Sequence, residues 1–179
     1  MLRKISSALL LFVLLLTAGC GLSSSGTKYL GEPYTSTNGG YTLRTVKDYT
    51  FKETFGIMQM VAPDGDTDKG PAMLVLGTIT DEDYDDTTLL EQFFDESSDM
   101  VFDKTKSFMV NGVKGTLAEI SSVDYEFEMA GKVFLANPYP NQPFILIGFS
   151  TVDEWKAFEP IVDAVIQSVE FFEAQAITP

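Results

Sequence analysis

The side chains that could do chemistry in this chain are almost all carboxylates. The stretch Asp64-Gly65-Asp66-Thr67-Asp68-Lys69-Gly70 sets aspartates at alternate places beside glycines. Asp64, Asp66 and Asp68 are the residues that could offer calcium its hard oxygen ligands. Read as an EF-hand loop, the stretch puts Lys69 where glycine is needed and Val75 where a bidentate glutamate is needed. Turn formers between two apolar runs read more simply as a solvated hairpin loop, so no metal is assigned. Asp81, Glu82, Asp83, Asp85 and Asp86 precede a helix pattern, where negative charge complements the helix dipole; a surface for a cation or a basic partner is the other reading. Asp124, Glu126 and Glu128 share one face of a strand pattern. Carboxylate pairs can hydrolyse glycosides, but only in a cleft that tunes two acids differently, and no catalytic residue is assigned. Tyr139 sits in Asn137-Pro138-Tyr139-Pro140-Asn141-Gln142-Pro143. An aromatic on a stiff loop is a good partner contact.

The composition narrows the classes further. The 179 residues hold 12 Lys and Arg, 26 Asp and Glu, no His and one Cys, for a net charge of −14. Such a balance excludes nucleic acid, which needs a basic surface. Without histidine, and with a single cysteine, the usual zinc, haem, iron–sulfur and Ser-His or Cys-His chemistries have no residues to use. No cofactor is expected.

The one cysteine has its own explanation. Arg3 and Lys4 precede an unbroken apolar run from Ala8 to Leu16, followed by Thr17-Ala18-Gly19-Cys20. The run is shorter than the roughly 20 apolar residues of a membrane-spanning helix and reads as a secretory signal. Its end resembles the lipobox of bacterial lipoproteins, with Thr17 at the place where that family usually carries leucine. The resemblance implies cleavage before Cys20, a diacylglyceryl thioether on its sulfur, and often an acyl chain such as palmitate on its new amino group. Two or more chains give stable anchoring, so the protein is expected on the extracytoplasmic face of a membrane. Cleavage would remove two basic side chains and no acidic ones.

The elements that must position these residues follow from periodicity. Residues 1–19 are the signal, 20–32 a Gly/Ser-rich flexible tether, 33–173 one domain, and 174–179 a frayed tail. Strands are expected at 41–45, 57–61, 73–79, 113–120, 123–129, 132–136, 144–149 and 168–172. Gly131 is read as the turn of a hairpin between the 123–129 and 132–136 strands. The unbroken apolar run Phe144 to Phe149 should be central. Thr88 with Glu91, and Thr151 with Glu154, match capping boxes. Leu89, Leu90, Phe93, Phe94, Met100 and Val101 then form one helical stripe, and Trp155, Phe158, Val162, Val165 and Val169 another. Pro160 falls inside the second pattern as a kink or restart. The fold class is α+β: an antiparallel sheet of about six to seven strands covered by two main helices.

Four places carry a resemblance: Gly40-Tyr41-Thr42-Leu43, Val110-Asn111-Gly112-Val113, Phe144-Ile145-Leu146-Ile147-Gly148-Phe149-Ser150, and Trp155 leading to Ile166-Gln167-Ser168-Val169-Glu170-Phe171. Over residues 38–173 they resemble the PsbP-like fold of extrinsic photosystem proteins, DcrB-type lipoproteins and Ran-binding Mog proteins. Phe51-Lys52-Glu53-Thr54-Phe55-Gly56 stands where that family tends to carry a Pro-Gly-Trp-like turn. The resemblance implies a binding or accessory role, not catalysis. The expected function is a membrane-anchored, non-catalytic extracytoplasmic module for an envelope protein or a small ligand. A carboxylate-based or calcium-dependent hydrolase, or a cell-envelope assembly factor, are the alternatives.

Overall fold

The structure, a computed structural model, describes residues 26–54, 56–82, 84–94, 100–122 and 128–175. A 3-10 turn at Thr27–Tyr29 leads into β1 (Leu30–Ser36) and β2 (Tyr41–Val46). Then come β3 (Thr50–Thr54), β4 (Ile57–Asp66), β5 (Gly70–Gly77) and helix α1 (Asp86–Phe93). Strands β6 (Met100–Val110), β7 (Val113–Ser122), β8 (Met129–Tyr139) and β9 (Gln142–Thr151) precede α2 (Val152–Gln167) and β10 (Glu170–Phe171). Seven strands form one antiparallel sheet in the order β3-β4-β5-β9-β8-β7-β6, and β1-β2-β10 form a second sheet of three.

Strand β9 lies at the middle of the large sheet, as its apolar run requires. Its side chains alternate between two cores. Phe144 and Leu146 meet α2 and the small sheet, packing with Tyr41, Leu43, Phe158, Val162 and Val165. Ile145, Ile147 and Phe149 face the other way, with Leu89 and Leu90 of α1 and Val133 and Leu135 of β8. Both faces are covered, so neither β8 nor β9 shows a polar alternation. Gly148 lets α2 approach the sheet, since a Cβ there would fall 2.5 Å from Val162.

Several expectations are corrected. Gly131 is no turn: it lies within β8, between Ile120 and Phe149, where a Cβ would meet the Gly148 carbonyl oxygen at 2.4 Å. Close backbone approach, not chain reversal, asks for glycine. The expected 123–129 strand falls mostly on 123–127, outside the described residues. The cap of α1 lies three residues before Thr88, at Asp85, whose Oδ1 accepts from the Thr87 and Thr88 backbone N–H at 2.9 and 3.0 Å, so the helix starts at Asp86. Met100 and Val101 belong to β6, not to the α1 stripe. Helix α2 runs through Pro160, although proline withholds an N–H from the Lys156 carbonyl; the buried Phe158, Ile161, Val162 and Val165 hold it against the sheet. Residues before Pro33 are also packed against the domain. Gly26 is buried, and a Cβ there would overlap the Pro160 carbonyl oxygen at 1.9 Å. The tail is tied down at its start: the Ala174 N–H donates to Gln142 Oε1 at 2.8 Å, and the Gln175 N–H to the Thr37 carbonyl at 3.1 Å.

One edge of the large sheet is β6. It is exposed from Asp103 to Ser107, its pairing with β7 shifts between Asp103 and Lys106, and Lys104 takes a positive φ of 48°. Lys104 Nζ reaches Glu119 Oε2 at 2.6 Å. The hairpin to β7 turns at Asn111-Gly112, both with positive φ, the geometry that Asn-Gly favours.

Candidate functional site

Tyr139 is presented by the short turn of the long β8–β9 hairpin. β8 runs to Tyr139 and β9 starts at Gln142, with only Pro140 and Asn141 between them. Asn141 accepts the positive φ of 57° that this reversal needs. The Tyr139 side chain is 37% exposed. Its neighbours are fixed by two amides. Gln142, 3% exposed, donates from Nε2 to the Phe172 carbonyl at 2.9 Å and accepts the Ala174 N–H. Asn137 Nδ2 donates to the Tyr84 carbonyl at 2.8 Å and to Asp86 Oδ1 at 3.1 Å. The Thr80 N–H donates to the Asn141 carbonyl at 2.8 Å, which sets Ile79, 46% exposed, on the same end of the molecule. These amide donors tie the turn to α1 and to the C-terminal segment, although Asn137 Oδ1 is itself buried without a partner.

The acidic run lies along this end. Asp81 and Glu82 follow Thr80 and are exposed. Asp85 caps α1, and the backbone hydrogen bond from Thr88, then that residue's hydroxyl, hold its carboxyl below the usual range. Asp86 accepts from Thr116 Oγ1 at 2.8 Å. Asp83 lies outside the described residues. Asp85 and Asp86 are therefore used by the fold, while Asp81 and Glu82 supply surface charge.

The other candidates are not assembled. Asp64 lies in β4 and Asp68 in the turn before β5, the Asp66 side chain is outside the described ones, and no group of three or more acidic, His or Cys side chains spaced for a metal ion occurs among the described residues. Asp124 and Glu126 lie outside the described residues, and Glu128 is exposed before β8. Cys20 also lies outside them. Among the described residues no helix is long and apolar enough to cross a membrane.

Two charged features were not visible in the sequence. Lys132, on β8, reaches Glu159 Oε1 at 2.7 Å and Asp163 Oδ1 at 2.8 Å on α2. Burial pulls its pKa down, but the hydrogen bonds and charges of Asp163 and Glu159 outweigh that and leave it raised. Positions 159 and 163 are four apart, which is the only sequence cue. The second feature lies where β1 begins. Its register with β2 shifts between Leu30 and Pro33, and a shallow depression of about 400 Å³ opens there, lined by Leu30, Glu32, Arg44, Lys47 and Asp48 among others. Arg44 donates from Nε and Nη2 to the Gly31 carbonyl at 2.9 and 2.7 Å.

Comparison places this architecture. No protein-family model matches the chain and no curated protein does. Among solved structures, it is similar to the cyanobacterial PsbP of Synechocystis sp. PCC 6803, with a TM-score of 0.61 at 12% identity over 88% of this chain and 99% of that one. It is also similar to LpqN of Mycobacterium tuberculosis, described as involved in cell envelope biogenesis, with a TM-score of 0.58 at 11% identity over 79% of this chain and 90% of that one. The fold is thus the PsbP-like α+β fold.

Proposed function

We propose that the protein is a lipid-anchored extracytoplasmic module that binds a partner in the cell envelope through the end that carries Tyr139. The observation that carries this reading is the Tyr139 turn itself: an exposed aromatic on a two-residue reversal locked by Gln142 and Asn137. Rigid aromatic anchors lose little conformational entropy on binding and dominate interface energetics. Asp81 and Glu82 beside it favour a partner with a basic rim, because complementary charge speeds encounter and fixes register. The pattern Thr17-Ala18-Gly19-Cys20 behind an apolar run supports the anchor, and the likeness to LpqN supports an envelope setting. A fold alone does not determine function, so the test is direct. A photo-crosslinking residue placed at 139 in the living cell should give one discrete protein adduct, and the same residue at exposed Met109 should not. Equal or absent adducts at both places would refute the binding role. Separately, Cys20→Ser should move the protein from the membrane to the soluble fraction; retention at the membrane would refute the anchor.

A further inference from the structure

The place of Gly26 bears on which way the domain faces. Gly26 is the first described residue, and its backbone is packed against Pro160 of α2. Only six peptide links separate it from Cys20, so the two cannot be more than about 20 Å apart even when fully extended. Residues 26–32 of the expected tether are packed against the domain. Next in sequence stand Lys28 and Tyr29, with the Lys28 ammonium 4.8 Å from the centre of the Tyr29 ring. Lys47 joins them: its N–H donates to the Tyr29 carbonyl at 2.8 Å and its Nζ to the Lys28 carbonyl at 3.0 Å. Arg44 lies across the depression, bound to a carbonyl rather than to an acid. Among the described residues no carboxylate oxygen lies within 4 Å of Lys28, Arg44 or Lys47. Glu32 and Asp48 line the same depression, so the patch carries three positive and two negative charges, on a chain whose net charge is −14.

We infer that this surface, Lys28, Tyr29, Arg44 and Lys47, is a docking face for the phosphates of anionic lipid headgroups. The inference rests on the lipid anchor at Cys20. Three features fit that occupant. The six links to Cys20 keep this end within about 20 Å of the proposed anchor. Tyr29, 42% exposed, has the amphipathic ring that settles at headgroup level. Basic side chains near an anionic leaflet attract it, and screening cuts off charges more than about 10 Å away. The acidic remainder then matters less than the patch. The Tyr139 turn is carried outward, because β1 spans about 20 Å from Leu30 to the β1–β2 turn, which Gln142 touches through Gly40 and Phe172.

The test uses the chain from Cys20 onward, coupled by its single thiol to a maleimide lipid in nanodiscs and labelled with fluorotyrosine. A paramagnetic headgroup lipid broadens nearby resonances. Tyr29 should broaden severalfold more than Tyr139, more strongly in discs with one third phosphatidylglycerol than in pure phosphatidylcholine. Lys28→Glu with Lys47→Glu, or high salt, should remove the lipid dependence. Equal broadening of the two tyrosines, or a Tyr29 excess indifferent to lipid charge and to both substitutions, would overturn the docking face. Free inorganic phosphate that shifts the Tyr29 signal as far as the anionic discs do would assign the site to a soluble anion instead. The coupling is chemical, so the result does not depend on whether the cell lipidates Cys20, which Cys20→Ser tests alone.

Discussion

At the start of β1 the chain is held by close backbone packing and by exposed basic side chains: Gly26 against Pro160, Lys47 N–H to the Tyr29 carbonyl and Nζ to the Lys28 carbonyl, and the Gly31 carbonyl gripped by the Arg44 guanidinium. At the far end of the same hairpin the holding is done by amide side chains and packed rings. Gln142 ties the β1–β2 turn to the C-terminal segment, Asn137 ties α1 to β8, and beneath them Phe144 packs edge-on against Tyr41 and Phe171, each 5.0 Å away. The first end is relatively basic and shallow; the second is acidic, rigid and aromatic. An end held by exposed, long basic side chains can adapt to a surface of variable detail. An end locked by amides and rings keeps one shape, which is what selective recognition of a partner requires.

That contrast can be broken at its strongest point first. Phe144→Ala removes the ring under the Tyr139 end and should cost about 3–5 kcal/mol, read as a lowered urea midpoint at unchanged slope. A cost near 1 kcal/mol would mean that the aromatic cluster does not hold this end together. Gln142→Ala leaves the Phe172 carbonyl and the Ala174 N–H unpaired, and should cost about 1–3 kcal/mol. Hydrogen exchange should localise its effect to residues 37–40 and 172–175; a spread to residues 26–31 would show that the two ends are one unit. Gly26→Val should release the first turn from α2 and speed exchange near Tyr29, with a stability loss of about 1–2 kcal/mol, and leave the Tyr139 end unchanged.

Alkaline titration sharpens the same contrast. Tyr34 donates to Glu53 at 2.6 Å, and burial with that carboxylate pushes its pKa up from 10.0 to about 12. Burial also raises Tyr41 and Tyr49, and the carboxylates on α2 raise Lys132. A raised folded pKa means full stability below the unfolded value, lost as pH climbs through the folded one. Stability should therefore hold to about pH 10 and fall steadily towards 12, less steeply in Tyr34→Phe; denaturation at stepped pH measures it. The smallest effect is expected from Tyr139→Ala, within about 0.5 kcal/mol in stability, while the adduct formed by a crosslinking residue at exposed Ile79 on the same end is lost.

The sequence displayed the parts of this fold that are apolar on both sides or punctuated by special residues. The Phe144–Phe149 run and the Asn111-Gly112 turn could be read because each obeys one rule without competition. β6 could not be, because Asp103 to Ser107 are all exposed and an edge strand facing water looks like a loop. Met100 and Val101 continued the α1 stripe by spacing alone, and only pairing with Ser121 and Ser122 assigns them to the sheet. Tyr139 was visible as an aromatic between prolines. Gln142 and Asn137, which hold its turn, were not: a polar residue reveals that it is buried only through partners distant in sequence, here Phe172 and Tyr84. The basic patch near Tyr29 was hidden for the same reason, since Lys28, Arg44 and Lys47 meet only through the β1–β2 register.

The β6 edge has a consequence for the proposed life on a membrane. Proteins confined to two dimensions meet their own copies side by side far more often than in solution. An open flat strand would invite sheets to fuse laterally. The shifted pairing at Lys104 and the exposed charges of Asp103, Lys104 and Lys106 spoil such a match, so copies brought side by side by the proposed anchor would still part.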